Sequence, residues 1–337
     1  MDEIELLKNA VPPLLKWYRI HKRELPWRGT HDPYRVWISE IMLQQTRVEA
    51  VKQYYIRFLE KFPTAEALAR AEIEEVLKAW EGLGYYSRAR NLHAAAKLIA
   101  QSGFPRDWAG VRSLPGIGDY TAGAICSIAY DLPFPAVDGN VLRVLTRLMA
   151  DARNIDDNRT KAQFAEALKE VYPEEAGDFC QSLMELGAIV CVPNGAPLCG
   201  ECPWREICRA HLAGEEERYP VRAEKRARKL SEVNVYVLER EGRFALCKRG
   251  ENGLLAGLWQ FPLAEKDSAP DPARFGEVLA TKSAKHVFTH VEWRMTGYFV
   301  RAKEFFSDYV WVDAKEIAER YALPSALKAF VPWLSRN

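Results

Sequence analysis

The sequence predicts a multidomain protein in which an all-α module is followed by a smaller α+β module. Three observations carry that prediction. Apolar residues recur at three- and four-residue spacing through most of residues 1–210, a dense charged stretch follows, and beyond it apolar and polar residues alternate. A chain of 337 residues exceeds one typical small domain and has material for two cores. Hydrophobic residues at 48% and charged residues at 28% are ordinary for a globular chain, so pattern and not composition must supply the fold.

In the first module, "TAEALARAEIEEVLKAWEGLGYY" and "SRARNLHAAAKLIAQSG" read as helices, with Thr64 and Ser87 placed as N-caps and Gly103 as a stop. "NRTKAQFAEALKEVYP" repeats the pattern and ends before Pro173. From Glu215 to Lys229, "EEERYPVRAEKRARK" holds ten charged residues in fifteen, which reads as a solvated linker whose basic half could touch phosphates. After it, "SEVNVYVLER" and "RFALCKR" form a hairpin turning at "EG". "KHVFTHVEWRMTGYFVRA" and "DYVWVDA" are further strand candidates, and "SALKAFVPWL" reads as a closing helix. The boundaries are 1–214, a linker at 215–230, and 231–337.

The start is acidic where a leader would be basic, and the longest apolar stretch, near "AGAICSIAY", is too short to span a bilayer. The expectation is a cytoplasmic protein with no membrane segment. A net charge of +1 advertises no nucleic-acid partner, although a local basic stripe would suffice for one. A reducing compartment argues against structural disulfides, and Cys126, Cys180 and Cys247 read as small buried hydrophobes.

Four other thiols cluster in "CVPNGAPLCGECPWREIC", as C-x7-C-x2-C-x5-C through Cys191, Cys199, Cys202 and Cys208. Only one tight knuckle is present, so zinc and an iron–sulfur cubane both stay open on spacing. Either would hold a surface loop in shape. "SLPGIGDYTAGAI" sets Gly116 and Gly118 between an apolar residue and a helix start near Thr121, where converging N–H groups suit a phosphate. An ordinary turn between helices is the bland alternative. Glu40, in "YRVWISEIMLQQTRVEAV", has apolar neighbours that would raise its pKa and suit a general acid, unless it occupies the helix's narrow polar edge. Asp138, in "FPAVDGNVLRVLTR", reads first as a helix N-cap.

The hairpin, the aspartate some twenty residues after it and the trailing cysteines, in that order, resemble the endonuclease III superfamily of helix–hairpin–helix DNA glycosylases. "SEIMLQQTRV" and the second module narrow the resemblance to the MutY-type adenine DNA glycosylases, over nearly the whole chain. The resemblance implies a two-lobed helical glycosylase domain, with a hairpin lobe at about 26–133 and a cluster lobe from 1–25 plus 134–214. Cys191, Cys199, Cys202 and Cys208 would hold one 4Fe–4S cluster, and a Nudix-like reader domain would follow. It implies a monomer that acts on double-stranded DNA holding an adenine opposite 8-oxoguanine, associated with the nucleoid. Glu40 would be the general acid and Asp138 the carboxylate facing the sugar, supported by Tyr120 and Asn140. Trp27, Arg28, Leu43, Val48 and Gln181 would line the adenine pocket, while Gln45 and Tyr85 would enter the base stack. Gly116 and Gly118 would meet the DNA backbone, and Phe288, Thr289 and His290 would read the opposite base.

The chain departs from the family pattern at several points. Thr289 stands where serine is usual, and the first cysteine gap has seven residues in place of six. Position 120 is tyrosine where bifunctional relatives carry a Schiff-base lysine, which implies a monofunctional enzyme. "GLLAGLWQFP" has no metal-binding R-E-x-x-E-E helix after it, so pyrophosphatase activity is not expected. Two rivals stand beside this reading: a bifunctional endonuclease III-type lyase, and a non-catalytic iron–sulfur protein that binds damaged DNA.

Overall fold

The structure, a computed structural model, describes residues 2–224 and 227–335. Lys225 and Arg226 of the expected linker, and the last two residues of the second module, lie outside the described residues. The chain forms two compact units, Met1–Ala69 with Ala94–Glu224, and Arg70–His93 with Lys225–Asn337.

The first unit is helical. Asp2 caps the Glu3–His21 helix by accepting from the Glu5 N–H at 2.8 Å. That helix buries Leu6, Leu14 and Tyr18 in one core with Val144 and Leu148 of the Gly139–Met149 helix and with Phe179 and Leu186 of the Ala176–Ile189 helix. Residues well over a hundred positions apart in sequence therefore share one apolar interior.

Pro33–Leu43 starts with Asp32 as cap and proline at its first position, where no N–H is needed. It packs against Asp119–Tyr130, which is buried from Thr121 to Ala129. A helix so uniformly apolar has no wet face, and its small residues allow close approach. A Cβ added at Gly123 would lie 2.3 Å from the Pro135 carbonyl oxygen, so glycine there lets the 135–138 segment run directly against the helix. The Trp108–Ser113 and Asp119–Tyr130 helices flank the expected glycine turn, with Gly116 at φ +77° and the second helix starting two residues before Thr121.

The first half of the charged stretch is not a solvated spacer. Tyr219 is buried, the Val221 carbonyl accepts from the Ile155 N–H at 3.1 Å, and Arg147 Nε donates to the Glu216 and Tyr219 carbonyls. One aromatic side chain and the backbone carbonyls suffice to strap a charged segment to a helix.

The second unit is a seven-stranded mixed sheet: β1 (Lys229–Arg240), β2 (Arg243–Lys248), β3 (Trp259–Gln260), β4 (Leu263–Glu265), β5 (Gly276–Val287), β6 (Val291–Ala302) and β7 (Val310–Asp313). The spatial order is β3-β2-β1-β6-β5, with β4 on β1, β7 on β2, and β1 parallel to β6. The expected β1–β2 hairpin forms across Glu241 and Gly242, both at positive φ, which matches the right-handed twist of the strands.

Three expectations fail locally. Residues 64–86 do not form one helix but two, Ala65–Arg70 and Ile73–Ala79, because Glu75 Oε2 accepts from the Glu72 N–H and starts a new N-terminus there. The final segment forms the short 3₁₀ turns Ser325–Leu327 and Val331–Ser335, not an α-helix; Pro332 has no N–H to continue one. Phe288, Thr289 and His290 lie in the loop between β5 and β6, outside both strands.

Residues Arg70–His93 group with the sheet, not with the helices that flank them in sequence. Lys78 Nζ donates to the Tyr321 carbonyl at 3.1 Å, Glu81 Oε1 accepts from the Leu323 N–H at 2.8 Å, and Arg90 Nη1 donates to the Ala256 carbonyl at 2.6 Å. Among the described residues, no helix is long and apolar enough to cross a membrane.

Candidate active site

One pocket in the helical unit encloses about 190 Å³ and opens to solvent at its mouth. Its lining includes Glu40, Tyr120, Asp138 and Asn140, and also Trp27, Arg28, Leu43, Val48 and Gln181. Nine of the residues singled out in the sequence thus converge, although they span positions 27 to 181.

Glu40 occupies the apolar side of its helix and is 5% exposed, which settles the choice between burial and a polar edge. Burial pushes its carboxyl up to about 7, and the negative charge of Asp138 adds to the rise. The Tyr120 hydroxyl opposes this by donating to Glu40 Oε2 at 3.1 Å. Burial holds the Tyr120 phenol well above its ordinary value, so it stays a donor.

Asp138 is the N-cap of Gly139–Met149, as its sequence context suggests. Its Oδ1 accepts from the Asn140 and Val141 N–H groups at 2.8 Å, and its Oδ2 accepts from Asn140 Nδ2 at 2.8 Å. Arg143 Nη2 donates to Asn140 Oδ1 at 3.0 Å, which orients that amide with its nitrogen toward Asp138. The capping geometry fixes the carboxylate at the pocket edge.

A third carboxylate in the pocket, Glu185, was not anticipated. It is 1% exposed, and its Oε1 accepts from both the Arg23 backbone N–H and Arg23 Nε at 2.8 Å. Its Oε2 accepts from Arg23 Nη2 at 2.9 Å and from Arg28 Nη2 at 2.5 Å. Burial alone would raise its pKa, but these hydrogen bonds prevail and lower it to about 2. Its partners lie 157 and 162 residues away, and no local pattern signals them.

Gln45 is exposed beside the pocket-lining Thr46 and adopts φ +55°, a conformation costly for a side chain of its size and common at functional sites. In the sheet unit, Tyr85 is exposed at φ +47°, and its hydroxyl lies 3.0 Å from Thr289 Oγ1. Phe288 stacks edge-on against His286 and Trp293, which leaves Thr289 and His290 exposed on the loop. In the helical unit, Gly116 and Gly118 are exposed around the buried Ile117, so that hairpin turns its backbone outward.

Cys191, Cys199, Cys202 and Cys208 are half-buried and free, and they line one cavity. Arg147 Nη1 donates to Cys191 Sγ at 3.3 Å, and Cys199 lies close to His211 and Glu216. Four thiols with a guanidinium beside them fit a tetrathiolate metal group. The additional residue in "PNGAP" lies on an exposed turn with Gly195 at φ +73°.

Residues 38–173 match the HhH-GPD superfamily base excision DNA repair protein family, and residues 234–332 match the NUDIX domain family. The chain is 40% identical over 334 residues to an adenine DNA glycosylase of Arabidopsis thaliana, covering 86% of this chain but 53% of that one. It is 35% identical over 381 residues to an adenine DNA glycosylase of Rattus norvegicus, covering 86% of this chain and 72% of that one. A solved thermostable thymine-DNA glycosylase superposes with a TM-score of 0.57 at 28% identity, over 62% of this chain and 98% of its own. With the hairpin and the pocket carboxylates Glu40 and Asp138 inside the matched helical region, the chain belongs to the adenine DNA glycosylase family.

Proposed function

We propose that the chain is a base-excision DNA glycosylase that hydrolyses the N-glycosidic bond of adenine mispaired with 8-oxoguanine in double-stranded DNA, and that it acts as a monofunctional monomer. The observation that carries this reading is Glu40, a buried carboxyl with a pKa raised to about 7, facing the same pocket as Asp138. Two carboxyl groups in unlike surroundings suit an acid and a charge stabiliser for glycoside cleavage.

A base in a duplex presents its glycosidic bond to no side chain, so the adenine must leave the stack and enter the pocket. Glu40 then gives its proton to adenine N7, which lets the base depart with the electrons of the breaking bond. Positive charge builds on the sugar. Asp138, pinned by its cap and by Asn140, faces that charge without having to move. Water then bonds to the sugar carbon and gives up a proton to the Glu40 carboxylate, which restores the acid. Tyr120 keeps Glu40 in place through its hydroxyl and has no amine with which to form a Schiff base, which supports release of an intact abasic strand.

Cys191, Cys199, Cys202 and Cys208 would hold one 4Fe–4S cluster, whose chemistry here is to close the loop and fix its surface. Gly116 and Gly118 would meet a phosphate, while Gln45 and Tyr85 would enter the stack. The Phe288–His290 loop would read the damaged guanine. Work on DNA in the cytoplasm is consistent with these assignments.

The test is a duplex holding one adenine opposite 8-oxoguanine. Strand scission that appears only after alkali, and is weak with thymine opposite, is the expected result. A strong borohydride-trapped covalent complex would overturn the monofunctional assignment. No alkali-labile product from cluster-loaded protein would overturn the enzyme itself.

A further inference from the structure

A second chamber adjoins the base pocket within the helical unit. It holds about 360 Å³, opens to solvent, and is lined by Lys22, Thr30, His31, Asp131, Glu174 and Asp178 among others. It shares Arg28, Ile128 and Gln181 with the base pocket, and includes none of Glu40, Tyr120, Asp138 or Asn140. These three side chains are therefore a common wall with open space on both sides.

The wall is uneven in stiffness. Arg28 is fixed by its hydrogen bonds to Glu185 Oε2 and the Arg23 carbonyl, and its guanidinium lies 5.4 Å from the centre of the Tyr18 ring. Ile128 is buried. Gln181, in contrast, is half-buried, and among the described residues its side chain makes one hydrogen bond, from Nε2 to the Gly177 carbonyl one turn back on its own helix. A rotamer change at Gln181 exchanges a single weak contact, so it is the side chain that can open the wall.

The need for an opening follows from the reaction. When the glycosidic bond breaks, the strand that delivered the base still fills the pocket mouth, and the free purine is enclosed between it and this wall. We propose that the freed adenine leaves through the Gln181 side into the second chamber while the abasic DNA remains bound. The chamber chemistry suits that cargo, because the carboxylates of Asp131, Glu174 and Asp178 accept from the N–H groups a free adenine presents. The inference rests on the glycosylase reading above.

The experiment uses a duplex with the fluorescent base 2-aminopurine opposite 8-oxoguanine, under single-turnover conditions with full-length protein. Bond cleavage is read by alkali quench, and arrival of the base in solvent by the rise in fluorescence. Asp178→Trp, one turn before Gln181 on the same helix face, and Glu174→Trp each narrow the chamber at a residue outside the base-pocket lining. Either is expected to leave the cleavage rate within about twofold while slowing the fluorescence rise by about fivefold or more, as blocked product release would. Asp178→Asn, which removes charge without adding bulk, should match the unaltered protein. Fluorescence that tracks cleavage in both tryptophan variants overturns the proposal and assigns exit to the DNA side. Absence of alkali-labile product with the unaltered protein would instead refute the glycosylase reading.

Discussion

The two walls of the carboxylate pocket treat the same chemical group in opposite ways. Around Glu40 the wall is apolar, with one phenol hydroxyl as partner, and the carboxyl rises to about 7. Around Glu185 two guanidinium groups and a backbone N–H converge, and the carboxylate falls to about 2. Both are nearly inaccessible to water. Burial alone therefore does not decide protonation: it prevails at Glu40, and at Glu185 the charged donors aimed at the carboxylate outweigh it. One wall favours the protonated carboxyl, and the other holds a charged carboxylate against Arg28.

Glu40→Gln breaks the comparison most severely. Base release should fall by about 10²–10⁴-fold, the usual worth of a general acid, while DNA binding persists. A single-turnover assay beside an anisotropy titration measures both, and unchanged excision would remove Glu40 from the mechanism. The same change should stabilise the fold at pH 8. The raised pKa gives a contribution fully present below the ordinary 4.5 and lost as pH rises through about 7, so ionised Glu40 is a burden that glutamine lifts.

Glu185→Gln should have the opposite sign. It leaves the Arg23 and Arg28 charges without their counter-ion and should cost about 3–5 kcal/mol in urea unfolding near neutral pH. The native carboxylate contributes stability above the ordinary 4.5 that is lost as pH falls toward about 2, so the variant's deficit should shrink in acid. A deficit that does not change with pH would show that the ion pairs are not its source.

The pH profile of base release sharpens the contrast further. Activity should decline as pH climbs through about 7, because Glu40 must hold a proton, and Glu185 should leave no mark in that window. A rate that is flat from pH 6 to pH 9 would contradict the acid role.

The smallest effect belongs to the sheet unit. Tyr85→Phe removes the hydroxyl that meets Thr289 Oγ1 at 3.0 Å, an exposed contact worth about 1 kcal/mol. Preference for 8-oxoguanine over guanine should weaken by about fivefold, with excision at saturating protein unchanged. An unaltered preference would show that the contact merely rests on the loop.

What could be read from the chain alone was whatever short-range physics controls. The two modules follow from helical spacing giving way to alternation, the β1–β2 turn from Glu-Gly, the Asp138 cap from its position before a periodic helix, and the candidate metal ligands from thiol spacing. Each depends on neighbours within a few residues. Tertiary structure alone decided the rest. Whether Glu40 faced protein or water depended on the Asp119–Tyr130 helix that covers it, and Glu185 acquired its charge partners from the far end of the unit. Tyr85 met Thr289 across 204 residues, and the charged 215–223 strap was fixed by one buried tyrosine and carbonyl acceptors that composition does not reveal. A side chain's solvation and its charge partners are properties of what surrounds it in space, and sequence distance carries no information about either.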